Sequence, residues 1–172
     1  MQCTKVVAAL FKAWIPSPIG PLQMRLTMTP DVNVLLAAFQ PDHPHHEVAL
    51  ACIRVGLSGV ATGRSFVLLP IVVARFLRLA THAKVFREPA PSQAAVEYID
   101  SLLAVPGVEI AELGREWPAL RRLLRDHSTS GNDVPDAWIA AAVQTLGEHL
   151  ATFDRGFLRL LGRTELILLV PH

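Results

Sequence analysis

Apolar positions along the chain switch between an unbroken run and a helical period, and each switch predicts a change of element. Phe66-Val67-Leu68-Leu69, Leu150 to Phe153 and Leu166 to Val170 are short apolar runs of the kind that fills a buried parallel strand, and Arg25 to Pro30 and Val108 to Ala111 read as two more. Helices are predicted between them. Val32 to Phe39 is short, Glu47 to Leu57 follows a proline-rich loop, and Pro70 opens a helix through about Thr81 with Val72, Phe76, Leu79 and Ala83 on one face. Pro91 to Ala104 turns Ala95, Ile99, Leu102 and Leu103 inward, and Arg115 to His127 packs Trp117, Leu120 and Leu124. Ile139, Val143 and Leu146 mark a further helix, and a short one runs through Leu161. Methionines and tryptophans are assigned to the core. Strands and helices in alternation predict an α/β fold with a parallel sheet covered on both faces.

Length and composition narrow the class. A chain of 172 residues, 51% hydrophobic and 18% charged, suits one globular domain with a sizeable core. Sixteen Lys and Arg against fifteen Asp and Glu give no general reason to bind a polyanion, so any basic surface is local. Cys3 and Cys52 have no metal-type spacing and make no disulfide framework, which fits a reducing cytoplasm. No apolar run reaches the ~18 residues that cross a bilayer, so no membrane association is expected. Residues 1–23 break up in Pro16-Ser17-Pro18-Ile19-Gly20-Pro21, which reads as a linker and puts the domain at 24–172. The first 23 residues are then an N-terminal extension or a mis-assigned start.

Candidate chemistry gathers at strand ends. Gly131-Asn132-Asp133-Val134-Pro135-Asp136 places two carboxylates at the mouth of one helix, while Asp31 and Asp154 each follow a predicted strand. Any one of these acids has a plain explanation as a helix cap, and Asp133-x-x-Asp136 is a passable capping box around a first-turn proline. Taken together they point further, because the carboxyl ends of parallel strands share one edge. Two ionised carboxylates about 5 Å apart repel by about 3 kcal/mol at an effective dielectric near 20, and a divalent cation relieves that repulsion. Asn33, two residues past Asp31, is placed to orient its carboxylate.

Other features carry less. Pro41-Asp42-His43-Pro44-His45-His46 reads as a loop opening a helix rather than a metal site. From Val48 to Arg87 there is no acid, while Arg75, Arg78, Lys84 and Arg87 are cationic. That face is either solvated or a sequence-independent phosphate-tracking patch that includes Arg75 and Arg78. Neither a glycine-rich dinucleotide loop nor a P-loop is present. A phosphatase-like use of Asp31 as nucleophile lacks its usual second acid, since Asn33 stands there.

Five motifs in order, Asp31-Val32-Asn33-Val34-Leu35-Leu36, His43-Pro44-His45-His46, Phe76-Leu77-Arg78-Leu79-Ala80-Thr81, Asp136-Ala137-Trp138-Ile139-Ala140-Ala141 and Thr152-Phe153-Asp154-Arg155-Gly156-Phe157, resemble the PIN-domain ribonuclease toxins called VapC. The resemblance runs from about Leu26 to the C-terminus. It implies a three-layer α/β/α domain with a central, mainly parallel sheet, acting as a metal-dependent endoribonuclease of a toxin–antitoxin pair. It also implies Mg²⁺ or Mn²⁺, a cognate VapB-like antitoxin, an RNA substrate and a homodimer. Carried across by position, Asp31, Asp136 and Asp154 are its catalytic and metal-binding aspartates, with Asn33 and Thr152 in support. The family's glutamate near the start of the helix after the second strand has no counterpart between Pro70 and Phe76, and Asp133 is the surplus acid that stands in for it as a metal ligand. The competing reading is a catalytically weak PIN-like module that binds RNA or a partner.

Overall fold

A computed structural model describes residues 27–86 and 88–170, so the N-terminal extension, the domain start near Met24 and Arg87 lie outside the described residues. The elements, in order, are β1 (Thr29–Pro30), α1 (Val32–Phe39), α2 (His46–Val60), β2 (Phe66–Leu68), α3 (Pro70–Ala80), α4 (Ser92–Leu103), β3 (Val108–Ile110), α5 (Trp117–Asp126), α6 (Val134–Leu146), β4 (Leu150–Thr152) and β5 (Leu166–Leu168). Three-residue 3₁₀ turns at Gly131–Asp133 and Arg163–Glu165, and a longer one at Arg155–Arg159, complete the order. Helix ends fall within about three residues of the predicted ones, but the strands are shorter than the apolar runs that announced them. Only two or three residues of each run make ladder hydrogen bonds.

All strand pairs are parallel. β1, β4 and β5 form one ladder and β2 and β3 another, and a bridge from Met28 to Phe66 joins them in the order β3-β2-β1-β4-β5. Proline in a central strand normally breaks such a sheet. Here Pro30 follows Met28 and Thr29, whose N–H groups bond Ser65 O at 3.1 Å and His149 O at 2.9 Å, and Asp31 N resumes the ladder on Ala151 O at 2.8 Å. The N–H that Pro30 lacks would have met Val67 O. The Thr29 hydroxyl donates to that carbonyl instead, so the interruption leaves no orphaned acceptor.

The helices lie on both faces, α1 against α2 and α5 against α6, with α3 touching both α1 and α6. This is the predicted three-layer α/β/α arrangement. Phe66, Phe76, Leu35, Ile53, Leu68 and Ile139 are among its largest fully buried side chains. Three expectations about that core are corrected. Trp117 is 58% exposed, because α5 is buried through Leu120 and Leu123, and Trp138 is 40% exposed on a face of α6 from which its indole N–H reaches Glu116. Ala83 falls beyond the end of α3, and Leu146 is exposed at the last turn of α6, where Gly147 takes φ 69° as a left-handed cap.

The crossing of α2 over the sheet rests on one small residue. A methyl group on Gly56 would meet Met28 Cε at 2.2 Å and the Phe66 ring at 2.5 Å, inside the bridge that joins the two ladders. Gly56→Ala is therefore expected to lower stability by about 1–3 kcal/mol through overpacking, measured by denaturant unfolding. An unchanged midpoint would show that α2 moves away freely and that this contact does not set its position.

Candidate active site

The strand order reverses at β1, with β2 on one side and β4 on the other, and in open parallel sheets that reversal leaves a crevice beyond the carboxyl ends of the strands. Asp31 stands at this point. It caps α1, with Oδ1 accepting from Val32 N at 2.6 Å, and it is only 3% exposed. Its Oδ2 accepts from Asn33 Nδ2 at 2.7 Å and from the Thr152 hydroxyl at 2.8 Å. Asn33 Nδ2 also donates to Thr152 Oγ1 at 2.9 Å while its Oδ1 accepts from Phe153 N at 3.2 Å. The side chain of Asn33 thus ties α1 to the end of β4, and the carboxylate between them has one orientation.

Asp136 arrives from the first turn of α6, two residues into a helix opened by Pro135. Its Oδ1 accepts from Arg75 Nη1 at 2.6 Å, and both side chains are about 30% exposed. Its Oδ2 accepts no hydrogen bond from a described residue. Burial pushes the Asp31 carboxyl up from the ordinary 3.8 to about 6. Thr152, Val32 N–H and the nearby Arg75 charge oppose the rise, and the Asp136 charge adds to it. The two acids and the guanidinium therefore act on one another.

The remaining predicted residues are placed differently. Asp154 is exposed at the end of β4, where Oδ1 caps the following 3₁₀ turn through Gly156 N at 2.6 Å and its own N–H bonds Thr152 Oγ1 at 3.0 Å. Asp133 makes no cap, so the capping-box expectation is corrected. Its Oδ2 pairs with Arg159 Nη2 at 3.1 Å, with both side chains more than half exposed. Among the described residues no three His, Cys, Asp or Glu are grouped to hold a metal, and of the four predicted aspartates Asp31 and Asp136 are the two whose charges act on one another. Arg78 is exposed on α3, one turn beyond Arg75, while Arg75 turns towards the acids. Lys84 is exposed as well. The histidines hold their own loop together: His43 Nδ1 accepts from His45 N at 3.1 Å, His46 Nδ1 meets Ala37 O at 2.9 Å, and the His45 ring lies 4.9 Å from that of Phe153.

One residue went unnoticed in the sequence. Glu116 is buried ahead of α5, accepting from Gly114 N at 2.6 Å and from Trp138 Nε1 at 2.9 Å. It thereby ties the segment ahead of α5 to α6 at Trp138, two residues past Asp136. The signal available was an acid directly before the Trp117-Pro118 start of a helix, which reads equally as an ordinary N-terminal charge.

The donor set suits a hard divalent cation. Two carboxylates, one with an oxygen free of protein hydrogen bonds, leave room for the waters and phosphate oxygens with which Mg²⁺ completes its shell.

Residues 28–161 match the family model described as PIN domain. The chain belongs to the PIN-domain family. Among relatives, it is 37% identical over 131 residues to the VapC ribonuclease Mb2897 of Mycobacterium bovis, covering 75% of this chain and 86% of that protein. It is 36% identical over 132 residues to ribonuclease VapC31 of Mycobacterium tuberculosis, covering 75% and 89%. Among solved structures, VapBC2 from Rickettsia felis bound to a DNA fragment from its promoter superposes with a TM-score of 0.56 at 17% identity, over 84% of this chain and 100% of that one, which supports the PIN fold.

The buried Asp31 of this PIN domain makes stability depend on pH. A carboxyl raised in the folded state contributes stability that is complete below about pH 4 and is lost as pH rises through about 6. Asp31→Asn keeps a capping acceptor without the charge, so at neutral pH and without metal it is expected to be more stable by up to about 3 kcal/mol. The gain shrinks towards zero near pH 4. Melting temperatures of both proteins across that range check this, and a gain independent of pH would contradict it.

Proposed function

We propose that this chain is the ribonuclease toxin of a VapBC-type toxin–antitoxin pair, an endoribonuclease that hydrolyses RNA phosphodiesters with Mg²⁺ or Mn²⁺. The observation that carries the proposal is the Asp31–Asp136 pair at the reversal of strand order, in a chain whose relatives are named VapC ribonucleases. Asp31 and Asp136 hold the cation through carboxylate oxygens. Asp154 adds charge from the end of β4, and Asp133, at the same helix mouth, contributes at longer range if Arg159 releases it. A cation held there would supply a water of lowered pKa as nucleophile and stabilisation of the charge that develops at the phosphate.

The chain's own residues do the positioning. Thr152 and Asn33 both donate to Asp31 Oδ2 and keep the carboxylate in one orientation, while Oδ1 accepts from Val32 N alone and keeps a lone pair for a cation. Glu116, through Trp138, keeps Asp136 at the same edge. Arg78 lies exposed on the neighbouring helix as a sequence-independent phosphate contact. A VapB-like antitoxin, a homodimer and a cytoplasmic site of action complete the reading. Among the described residues no helix is long and apolar enough to cross a membrane. The domain occupies residues 24–172, preceded by an extension that the site does not require.

A second reading is favoured by one observation. Arg75 occupies Asp136, and among the described residues no third acid joins the pair, which suits a PIN module that binds RNA without cutting it. Inducible expression of the wild type and of Asp136→Asn in a tolerant bacterial host separates the two. Growth arrest with RNA cleavage by the wild type alone is the expected outcome, at equal protein levels. Equal growth of both strains would favour the binding module.

A further inference from the structure

We propose that Arg75 is the resident cation of the acidic site, holding Asp136 in the metal-free protein and yielding it when a divalent ion binds. This rests on the reading of Asp31 and Asp136 as metal ligands. Arg75 Nη1 lies 2.6 Å from Asp136 Oδ1, and the same guanidinium acts through space on Asp31. The second oxygen of Asp136 is open.

The chemistry follows from charge. Two neighbouring carboxylates repel one another, and Arg75 brings a positive charge to them from the middle of α3. A guanidinium cannot lose its proton to make way, so a divalent ion meets both a competitor for Oδ1 and a like charge. Metal affinity in the resting protein is therefore weakened by a group on the chain itself. Once displaced, the guanidinium stays tethered at the rim with its planar donors free. That geometry matches a phosphodiester, which accepts two parallel N–H bonds from arginine. Arg75 so becomes a positioning residue for substrate in the step that frees Asp136, and metal and phosphate binding favour each other.

A purely structural ion pair makes a different prediction, since it would stabilise the fold and leave metal affinity alone. The test is Mn²⁺ binding to the full chain, followed by the spin resonance of free Mn²⁺, for the wild type, Arg75→Gln, Arg75→Lys and Asp136→Asn. Circular dichroism confirms that each is folded. Arg75→Gln is expected to bind Mn²⁺ roughly tenfold more tightly than the wild type, because a competing cation is gone. Arg75→Lys keeps the charge and should stay within about threefold of the wild type. Unchanged or weaker binding by Arg75→Gln overturns the proposal, as does equal tightening in both arginine variants. If Asp136→Asn still loses Mn²⁺ in either case, the metal-ligand reading survives. Binding indifferent to Asp136, or none in any variant, overturns both.

Discussion

Everything at this site depends on a charge kept where charge is disfavoured. The Asp31 carboxylate is almost completely buried at the end of the central strand, and its pKa of about 6 measures how far burial outweighs its hydrogen bonds. Val32 N–H, Asn33 and Thr152 reduce that penalty without removing it. A fold selected for stability alone would place an amide or an apolar side chain there. The neighbouring Asp136 raises the penalty, and Arg75 lowers it. A divalent ion would answer the same imbalance more fully than a single guanidinium does, which is the electrostatic basis of the proposed metal site.

The scaffold makes the pair possible. Asp31 is delivered by β1, where strand order reverses, while Asp136 comes from the start of α6, which runs back under the sheet to reach β4. Glu116 and Trp138 brace α6 from one side, and Arg75 reaches Asp136 from α3 on the other. Three elements distant in sequence thus meet at one edge. Each is positioned by ordinary packing, as in the close approach of α2 to Met28 and Phe66 at Gly56.

Much of this was legible in the sequence, and the exceptions have identifiable causes. The order of strands and helices follows from an apolar run closed by Pro70 and from helical periods opened at Pro91 and Pro135, because a period and a breaker together leave little choice. Asp31 was read as both a cap and a candidate site residue, since it ends a strand and opens a helix, and the cap is what the structure shows. Asn33 was legible from its spacing alone. Asp133 was not, because pairing with Arg159 depends on where a distant 3₁₀ turn folds. Arg75 was read as part of a cationic face with Arg78, yet the two lie three residues apart on α3 and only Arg75 turns to Asp136. No pattern in one chain reports a contact across 61 residues. Trp117 and Trp138 look like core by composition, and only the direction of each helix face shows them exposed.

The account stands most directly on the dependence of RNA cleavage on a divalent ion held by Asp31 and Asp136. The measurement is cleavage of a labelled structured RNA by the purified chain in Mg²⁺, with and without chelator, alongside Asp31→Asn and Asp136→Asn. The account predicts cleavage that chelator stops, that excess Mn²⁺ restores, and that each substitution reduces by about a hundredfold or more. Cleavage that persists in chelator, or at wild-type rate in both variants, would contradict it.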